Sequence, residues 1–517
     1  MSPSFDIAIV GSGFGGSLLA MIARRLGRSV LLLERGQHPR FAIGESSTPL
    51  ANLLLEEMAR RYELPRLLPL AKWGTWQQNY PEIGCGLKRG FSFYRHTLGA
   101  KWTDTSEHRH QLLVAASPTD RIADTHWYRP DFDHFLVREA QATGAEYLDQ
   151  VQIEQVELTP TGVALRGKRQ NAPFACGARF LVDATGPRGC LHRAWSWKEI
   201  PFGHLPPTQG LYSHFTNVRR MDDVCPPDRT PPYPVDDAAL HHIFNGGWIW
   251  VLRFNNGITS AGVAARTSLA DQLRFEEGAP AWERLLGQLP TVREQFADAK
   301  AQIPFIHSPQ LAFRAPHAAG PNWALLPSAA GFVDPLLSTG FPLTLLGIER
   351  LANILERDWG CERFAKRLDA YGTRTLEELD SVELMVAALY ANLDDFSTFS
   401  ALSLLYFAAA TFSETARRLN RPELAGQSFL LGTHPLFGPR SRECFTRAVG
   451  TPRGPENKAL VDLIRQTVEP VDVAGLGDTT RQNWFPVNVG DLLKAAPKLN
   501  ASEAEIRDLL ARLQFEP

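Results

Sequence analysis

Cysteine is scarce in this chain, with six in 517 residues (Cys85, Cys176, Cys190, Cys225, Cys361 and Cys444), and none of them forms a CxxC pair. That scatter excludes a recognisable zinc or dithiol motif, points to no bound metal, and fits reduced thiols in a cytoplasmic protein. Neither sign of charge dominates: 54 Lys and Arg face 56 Asp and Glu. No basic field therefore argues for nucleic acid or an anionic membrane. Long apolar runs are missing as well, and none reaches the length expected of a membrane span. The N-terminus enters a strand almost at once, which leaves no room for a signal peptide. Internal repeats, low-complexity tracts and flexible linkers do not show either.

What is present is a long, ordinary globular composition, 44% hydrophobic and 21% charged, enough for two or three domains around a large core. Twelve tryptophans and 29 phenylalanines fit either core packing or an aromatic-lined pocket. The most informative stretch comes first. Ile7 to Val10 reads as a buried strand, Gly11 to Gly16 as a glycine turn, Ser17 to Leu26 as a helix and Ser29 to Leu33 as a second strand closed by Glu34. Gly11 permits the tight turn, Gly13 lets backbone approach a pyrophosphate, and Gly16 lets helix and strand pack closely. Phe14 and Gly15 lie in the same turn, whose helix start offers unpaired N–H groups to phosphate. Glu34 stands where a ribose hydroxyl is accepted, and Arg35 follows it. The pattern predicts a dinucleotide site.

Further along, Ser46 to Thr48 precede a helical pattern over Leu50 to Tyr62 and can cap it. Glu45 before those hydroxyls suits a polar ligand wall. From Trp73 to His110 short aromatic runs alternate, which predicts strands of an inserted sheet. A helix is expected from Arg129 to Thr143, antiparallel strands over Val151 to Leu165, and a short strand at Phe180 to Asp183. Pro201 to Pro234 reads as a long excursion. Trp248 and Trp250 fall on one face of a strand, and Asn255-Asn256-Gly257 turns it into a partner over Ile258 to Val263. Trp323 to Leu326 predicts another strand, Phe341 to Arg357 a helix, and the chain from Cys361 onward helices without a strand pattern, closing with Glu503 to Leu513.

Together these motifs resemble the flavin-dependent halogenases, a branch of the FAD monooxygenases. Ile43-Gly44-Glu45-Ser46-Ser47-Thr48-Pro49 matches the family's segment beside the flavin, and Asp183-Ala184-Thr185-Gly186 is a general flavoprotein match. Gly331-Phe332-Val333-Asp334-Pro335-Leu336-Leu337-Ser338-Thr339-Gly340 matches the segment under the flavin. Lys88-Arg89-Gly90-Phe91-Ser92-Phe93 matches the stretch with the essential lysine, and Trp248-Ile249-Trp250 matches two tryptophans of the WxWxIP motif, with Leu252-Arg253 in place of its Ile-Pro.

The resemblance implies an α/β fold: a Rossmann-type FAD-binding domain with an inserted mixed β-sheet substrate domain and a helical C-terminal region. The expected layout is residues 1–200 for the FAD domain with 60–125 in the inserted sheet, 201–320 for the substrate sheet, 321–360 for the return, and 361–517 for the cap. It implies halogenation of an electron-rich aromatic through a flavin hydroperoxide and hypohalous acid, with Lys88 directing the halogen. FAD would be held by the glycine turn, Glu34, Arg35, Glu45, Ser46, Ser47, Asp334 and Gly340. Asp334 would stand near the ribityl chain or pyrophosphate, and chloride or bromide at Ser338, Thr339 and Gly340. Phe91, Phe93, Trp248 and Trp250 would line the substrate pocket. A separate flavin reductase would supply FADH2, and the substrate, free or carrier-tethered, would be a phenol, pyrrole or indole. Free tryptophan is disfavoured because Leu337 stands where the family's tryptophan enzymes have glutamate. His96, Glu107, His108 and His110 are candidate bases that no spacing separates. An FAD monooxygenase or isoprenoid-type reductase on the same scaffold is the alternative, and a flavin-binding protein without chemistry is the third reading.

Overall fold

The computed structural model describes residues 5–450 and 458–513. Its first sheet is built on the strand Phe5–Val10, whose residues Ile7 to Val10 are buried on both faces. Such a strand must be covered on each side, which a parallel sheet with crossover helices achieves. Val30–Leu33 pairs with it in parallel on one side and Ala172–Asp183 on the other, in the register Val30, Ile7, Phe180. Glu146–Leu148 and Trp323–Leu325 extend the parallel order outward. The helix Phe14–Arg25 makes the first crossover and the helix Gly340–Arg357 packs beside it. The hairpin expected around Thr159 to Gly162 is present, as Val151–Thr159 pairs antiparallel with Gly162–Arg169.

The second sheet has nine strands and is mixed. At its centre Gly90–Arg95 runs parallel to Ala239–Phe244, which pairs antiparallel with Gly247–Arg253, and that strand in turn with Thr259–Arg266. The register sets Phe93, His241 and Trp250 in one row. Because side chains alternate across a strand, Phe91, Phe93, His241, Trp248 and Trp250 share one face. The other face buries Tyr94, Leu240, Ile249, Val251 and Val263, together with Leu285 and Val292 from the short helices that follow the sheet.

The helix Phe396–Arg418 lies over the aromatic face. Its Phe399 ring meets Phe93 edge-on at 5.9 Å, and Phe407 meets Phe91 at 5.1 Å. Each such pair adds roughly 0.5–1.5 kcal/mol beyond the area it buries. Among the described residues this is the one helix long and apolar enough to cross a membrane, contrary to the expectation that no run reaches that length. Its apolarity serves the core here, since 72% of its most apolar window is buried.

Three local expectations are corrected. Trp73–Asn79 is a helix, not the start of the strands, its Trp76 side chain being buried against Phe132. The supposed excursion of Pro201 to Pro234 contains the strand Thr208–Thr216, a proline-free run that the flanking prolines conceal. The C-terminal region also contributes a strand, since Trp484–Phe485 pairs in parallel with Gln111–Ala115. Two residues carry no readable period, and Trp484 is drawn there by its Nε1–H bond to Gln111 and by His108 stacked at 3.9 Å.

Candidate active site

The glycine turn has the geometry its residues require. Gly11 has φ of 100°, and a Cβ there would lie 2.6 Å from the Ala184 carbonyl oxygen. A Cβ on Gly16 would lie 1.9 Å from the Gly11 carbonyl oxygen. Gly13 differs, because the nearest atoms to its missing Cβ are the guanidinium nitrogens of Arg129 at 3.4 Å and Arg40 at 3.7 Å, and an Asp133 oxygen at 3.6 Å. No side chain caps the helix that starts at Phe14, so its first N–H groups remain free for an anion. Glu34 takes the Ser12 amide and hydroxyl at 3.2 and 2.9 Å, the Gly36 amide at 2.9 Å and Arg40 at 3.1 Å. Arg35 is exposed, and Arg40 is the arginine that reaches the turn. A cradle with backbone donors, two guanidinium groups and a terminal carboxylate fits a dinucleotide pyrophosphate and ribose.

Lys88 is fully buried. It ends the strand Cys85–Lys88, which pairs antiparallel with Asp124–Trp127 so that Lys88 stands opposite Asp124. Its Nζ donates to Ser46 Oγ at 2.8 Å and to the Ser47 carbonyl at 2.5 Å, and lies 3.8 Å from the centre of the Phe91 ring. Ser47 Oγ continues to Asn52, whose Nδ2 donates to Asp124 at 2.9 Å. Burial pushes the Lys88 ammonium from 10.5 down to about 7, against the pull of the Asp124 charge. A lysine so depressed can give and take a proton near neutrality. Between pH 7 and 9 the unfolded chain binds a proton that folded Lys88 has lost, so this residue's contribution to stability rises with pH. The difference in Tm between Lys88→Met and wild type is expected to move in the wild type's favour across that window; a pH-independent difference would contradict the depressed value.

The segment from Asp334 to Phe341 joins both sheets. Leu337 and Ser338 have φ of 64° and 55°, a left-handed pair that costs about 1–2 kcal/mol per residue outside glycine. This strain aims the chain into the helix Gly340–Arg357, whose start also lacks a side-chain cap. Thr339 is buried and Gly340 exposed, with nothing beyond its chain neighbours and its own helix within 4 Å of its missing Cβ. Free amides at a helix start with room beside them suit a small anion. Phe341 stacks on Trp127 at 4.3 Å and meets Phe14 of the glycine turn at 4.9 Å. Asp334 has both oxygens committed to protein donors: Trp248 Nε1 at 3.2 Å, the Leu336 amide at 2.9 Å and the Tyr390 hydroxyl at 2.9 Å. Burial pushes its carboxyl up to about 7, opposed by these donors. Asp334 ties the tryptophan strand to the segment that leads into the helix Gly340–Arg357 and to the helix Phe364–Ala391.

A family model for tryptophan halogenases matches residues 122–396, more than half of the chain. The chain belongs to the flavin-dependent halogenase family. A model for NAD(P)-binding Rossmann-like domains also matches residues 9–52. Monodechloroaminopyrrolnitrin halogenase PrnC of Pseudomonas fluorescens is 29% identical over 418 residues, covering 78% of this chain and 71% of that one. Tetracycline 7-halogenase of Kitasatospora aureofaciens is 29% identical over 383 residues, covering 70% and 66% respectively. Among solved structures, a variant of the halogenase PltM in complex with FAD is 25% identical with a TM-score of 0.81, over 92% of this chain and 99% of that one.

In this halogenase the four aromatic residues expected at the substrate, Phe91, Phe93, Trp248 and Trp250, are together on one sheet face, under Phe399 and Phe407. Trp250 packs close to the Cα of Gly262, and its Nε1 donates to Ser260. Glu45 is buried; one oxygen lies 2.7 Å from His214 Nε2, and the other has no partner among the described residues. The candidate bases do not converge on this face. His96 bonds His242, His108 is held by Asp104 and Arg229, His110 meets the Thr103 carbonyl, and Glu107 pairs with Arg109 at the surface. The imidazoles near Lys88 are instead His126 and His241, both buried and neutral at ordinary pH. His241 could be found in the sequence only by knowing the strand register that places it beside Phe93.

Proposed function

We propose that this halogenase uses FAD to place chlorine or bromine on an electron-rich phenol, pyrrole or indole rather than free tryptophan, with Lys88 delivering the halogen. The observation that carries the reading is a buried lysine poised near neutrality whose ammonium rests on Phe91 and is held by the Glu45–Ser47 segment. Reduced FAD, when bound and supplied by a separate flavin reductase, provides the oxygen activation that converts halide into hypohalous acid. Free amides at Phe14, with Arg40 and Arg129, would hold its pyrophosphate, Glu34 its ribose, and Ser338 to Gly340 the halide. The aromatic face keeps water away, so the oxidant reaches Lys88 before it is lost. There the ammonium hydrogen-bonds the oxidant, or the neutral amine takes the halogen on nitrogen and gives up a proton to the departing hydroxide, which leaves as water. Either form turns the halogen toward a ring held among Phe91, Phe93 and Trp248. Leu337 offers no carboxylate for an indolic amino acid, and relatives named for a tetracycline and a carrier-bound pyrrole favour other ring classes.

The test supplies the purified protein with FAD, a flavin reductase, NADH and bromide or chloride, and a panel of phenols, pyrroles and indoles, free and carrier-loaded. Halogenated product by mass spectrometry is expected from at least one electron-rich ring. Hydroxylated product without halogen would assign the scaffold to monooxygenation instead.

A further inference from the structure

We propose that His241 is the base that receives the ring proton when the aromatic substrate is halogenated. This rests on the halogenase reading above and names the acceptor that reading leaves open. Aromatic substitution makes a proton at the attacked carbon that must leave, and a site lined with hydrocarbon rings has few atoms able to take it. On the sheet face that carries Phe91, Phe93, Trp248 and Trp250, His241 is the imidazole packed among the rings; His214 shares that face two strands away from the tryptophans, and its Nε2 is taken by Glu45 at 2.7 Å. His241 stacks on Phe93 at 4.4 Å and on Phe91 at 6.0 Å, and lies 5.3 Å from Trp248. Phe91 is the ring on which the Lys88 ammonium rests, so lysine and imidazole pack against the same ring.

The tautomer follows from the sheet. His241 Nδ1 faces the Ser92 carbonyl oxygen at 3.3 Å, and a carbonyl only accepts, so the proton sits on Nδ1 and the lone pair on Nε2. Burial first, and then the Lys88 charge, hold this imidazole down at about 3. It is therefore unprotonated at any working pH. So weak a base would not ionise a phenol, but a halogenated ring cation is a far stronger acid than imidazolium and gives up its proton to it readily.

The step balances within the site. The carbon–halogen bond forms as the oxygen–halogen bond of hypohalous acid breaks. The departing hydroxide takes a proton from the Lys88 ammonium and becomes water, and the ring proton passes to His241 Nε2. The imidazolium, unstable beside its burial and the lysine, returns that proton to the Lys88 amine. One arene and one hypohalous acid become one halogenated arene and one water, with both residues restored.

His126 is the rival. It is equally buried, also feels the Lys88 charge and, with Nε2 turned to the Ala238 carbonyl at 3.3 Å, keeps an unpartnered Nδ1, but no aromatic ring stacks on it among the described residues. Its place on the Asp124–Trp127 strand sets it beside the lysine and off the aromatic face.

The experiment compares wild type, His241→Gln, His241→Phe and His126→Gln in bromination of resorcinol and its ring-deuterated form, with FAD and a flavin reductase present. His241→Phe keeps the ring packing if the glutamine variant folds poorly. Both His241 variants are expected to lose about 100-fold in bromination and to gain a primary deuterium isotope effect that wild type lacks. Monochlorodimedone added as a trap should intercept more hypohalous acid from them, since oxidant formation is untouched. Unchanged rates, a loss without an isotope effect, or an isotope effect arising in His126→Gln would overturn the assignment. No bromination by wild type of resorcinol or of any ring in the wider panel would overturn the halogenase reading, and this base with it.

Discussion

Lys88→Ala is expected to abolish halogenated product while reduced flavin is still oxidised at the wild-type rate. The loss should exceed about 1,000-fold, the upper part of the range for a residue that positions the reacting group and moves its proton. Two features of the site make the effect large. Lys88 has no solvent contact, so no water can take over its hydrogen bonds to the oxidant. Its partners Ser46 and Ser47 belong to the segment expected beside the flavin, which on the proposed reading sets the ammonium between the source of oxidant and the aromatic face. Lys88→Arg should not restore activity, because a guanidinium does not lose its proton at these pH values and is too large for a site already in contact with Phe91. The measurement is paired: oxygen consumption in one vessel and halogenated product in another. Equal loss of both would show that the lysine supports flavin chemistry rather than halogen delivery.

Gly13→Ala is expected to leave the fold intact and weaken FAD binding by about 100-fold, or ~2.7 kcal/mol. The contrast with Gly16 is what makes the result informative. An alanine Cβ at Gly16 would lie 1.9 Å from the Gly11 carbonyl oxygen, and since the clash is with backbone, Gly16→Ala should lower the Tm of the protein with or without flavin. At Gly13 the nearest neighbour is a guanidinium nitrogen at 3.4 Å, an ordinary contact, so only an incoming pyrophosphate is obstructed. Fluorescence titration with FAD and a melting curve of the flavin-free protein separate the cases. A large drop in the flavin-free Tm of Gly13→Ala would mean that this glycine also serves the fold.

The parts of this architecture legible in the sequence are those written locally. The run Ile7 to Val10 with its glycines carries strand, turn and helix in one short stretch, and Thr48 caps the next helix by accepting the Ala51 amide at 3.2 Å, as its residue type suggests. Alternation placed Trp248 and Trp250 on one face, and the Asn255 to Gly257 turn set their neighbour. Lys88 is another matter. Nothing local distinguishes it from a surface lysine at a strand start, and only its place in a family motif marked it. His241 was invisible because its importance lies in the row Phe93, His241, Trp250, which is made by pairing between strands far apart in the chain. For the same reason nothing local signals the turn of chain that brings Arg40 back to the Glu34 carboxylate.

The helix Phe396–Arg418 lends itself to retooling. The groups assigned to oxidant and proton, Lys88 and His241, stand on the strands beneath it, whereas Phe399 and Phe407, which complete the aromatic enclosure, come from the helix alone. A library confined to its inward positions is expected to vary which ring is accepted, and at which carbon, without touching the residues proposed to carry halogenation. Two tasks that often share side chains are here carried on separate pieces of backbone, and selection could act on one while the other is inherited unchanged.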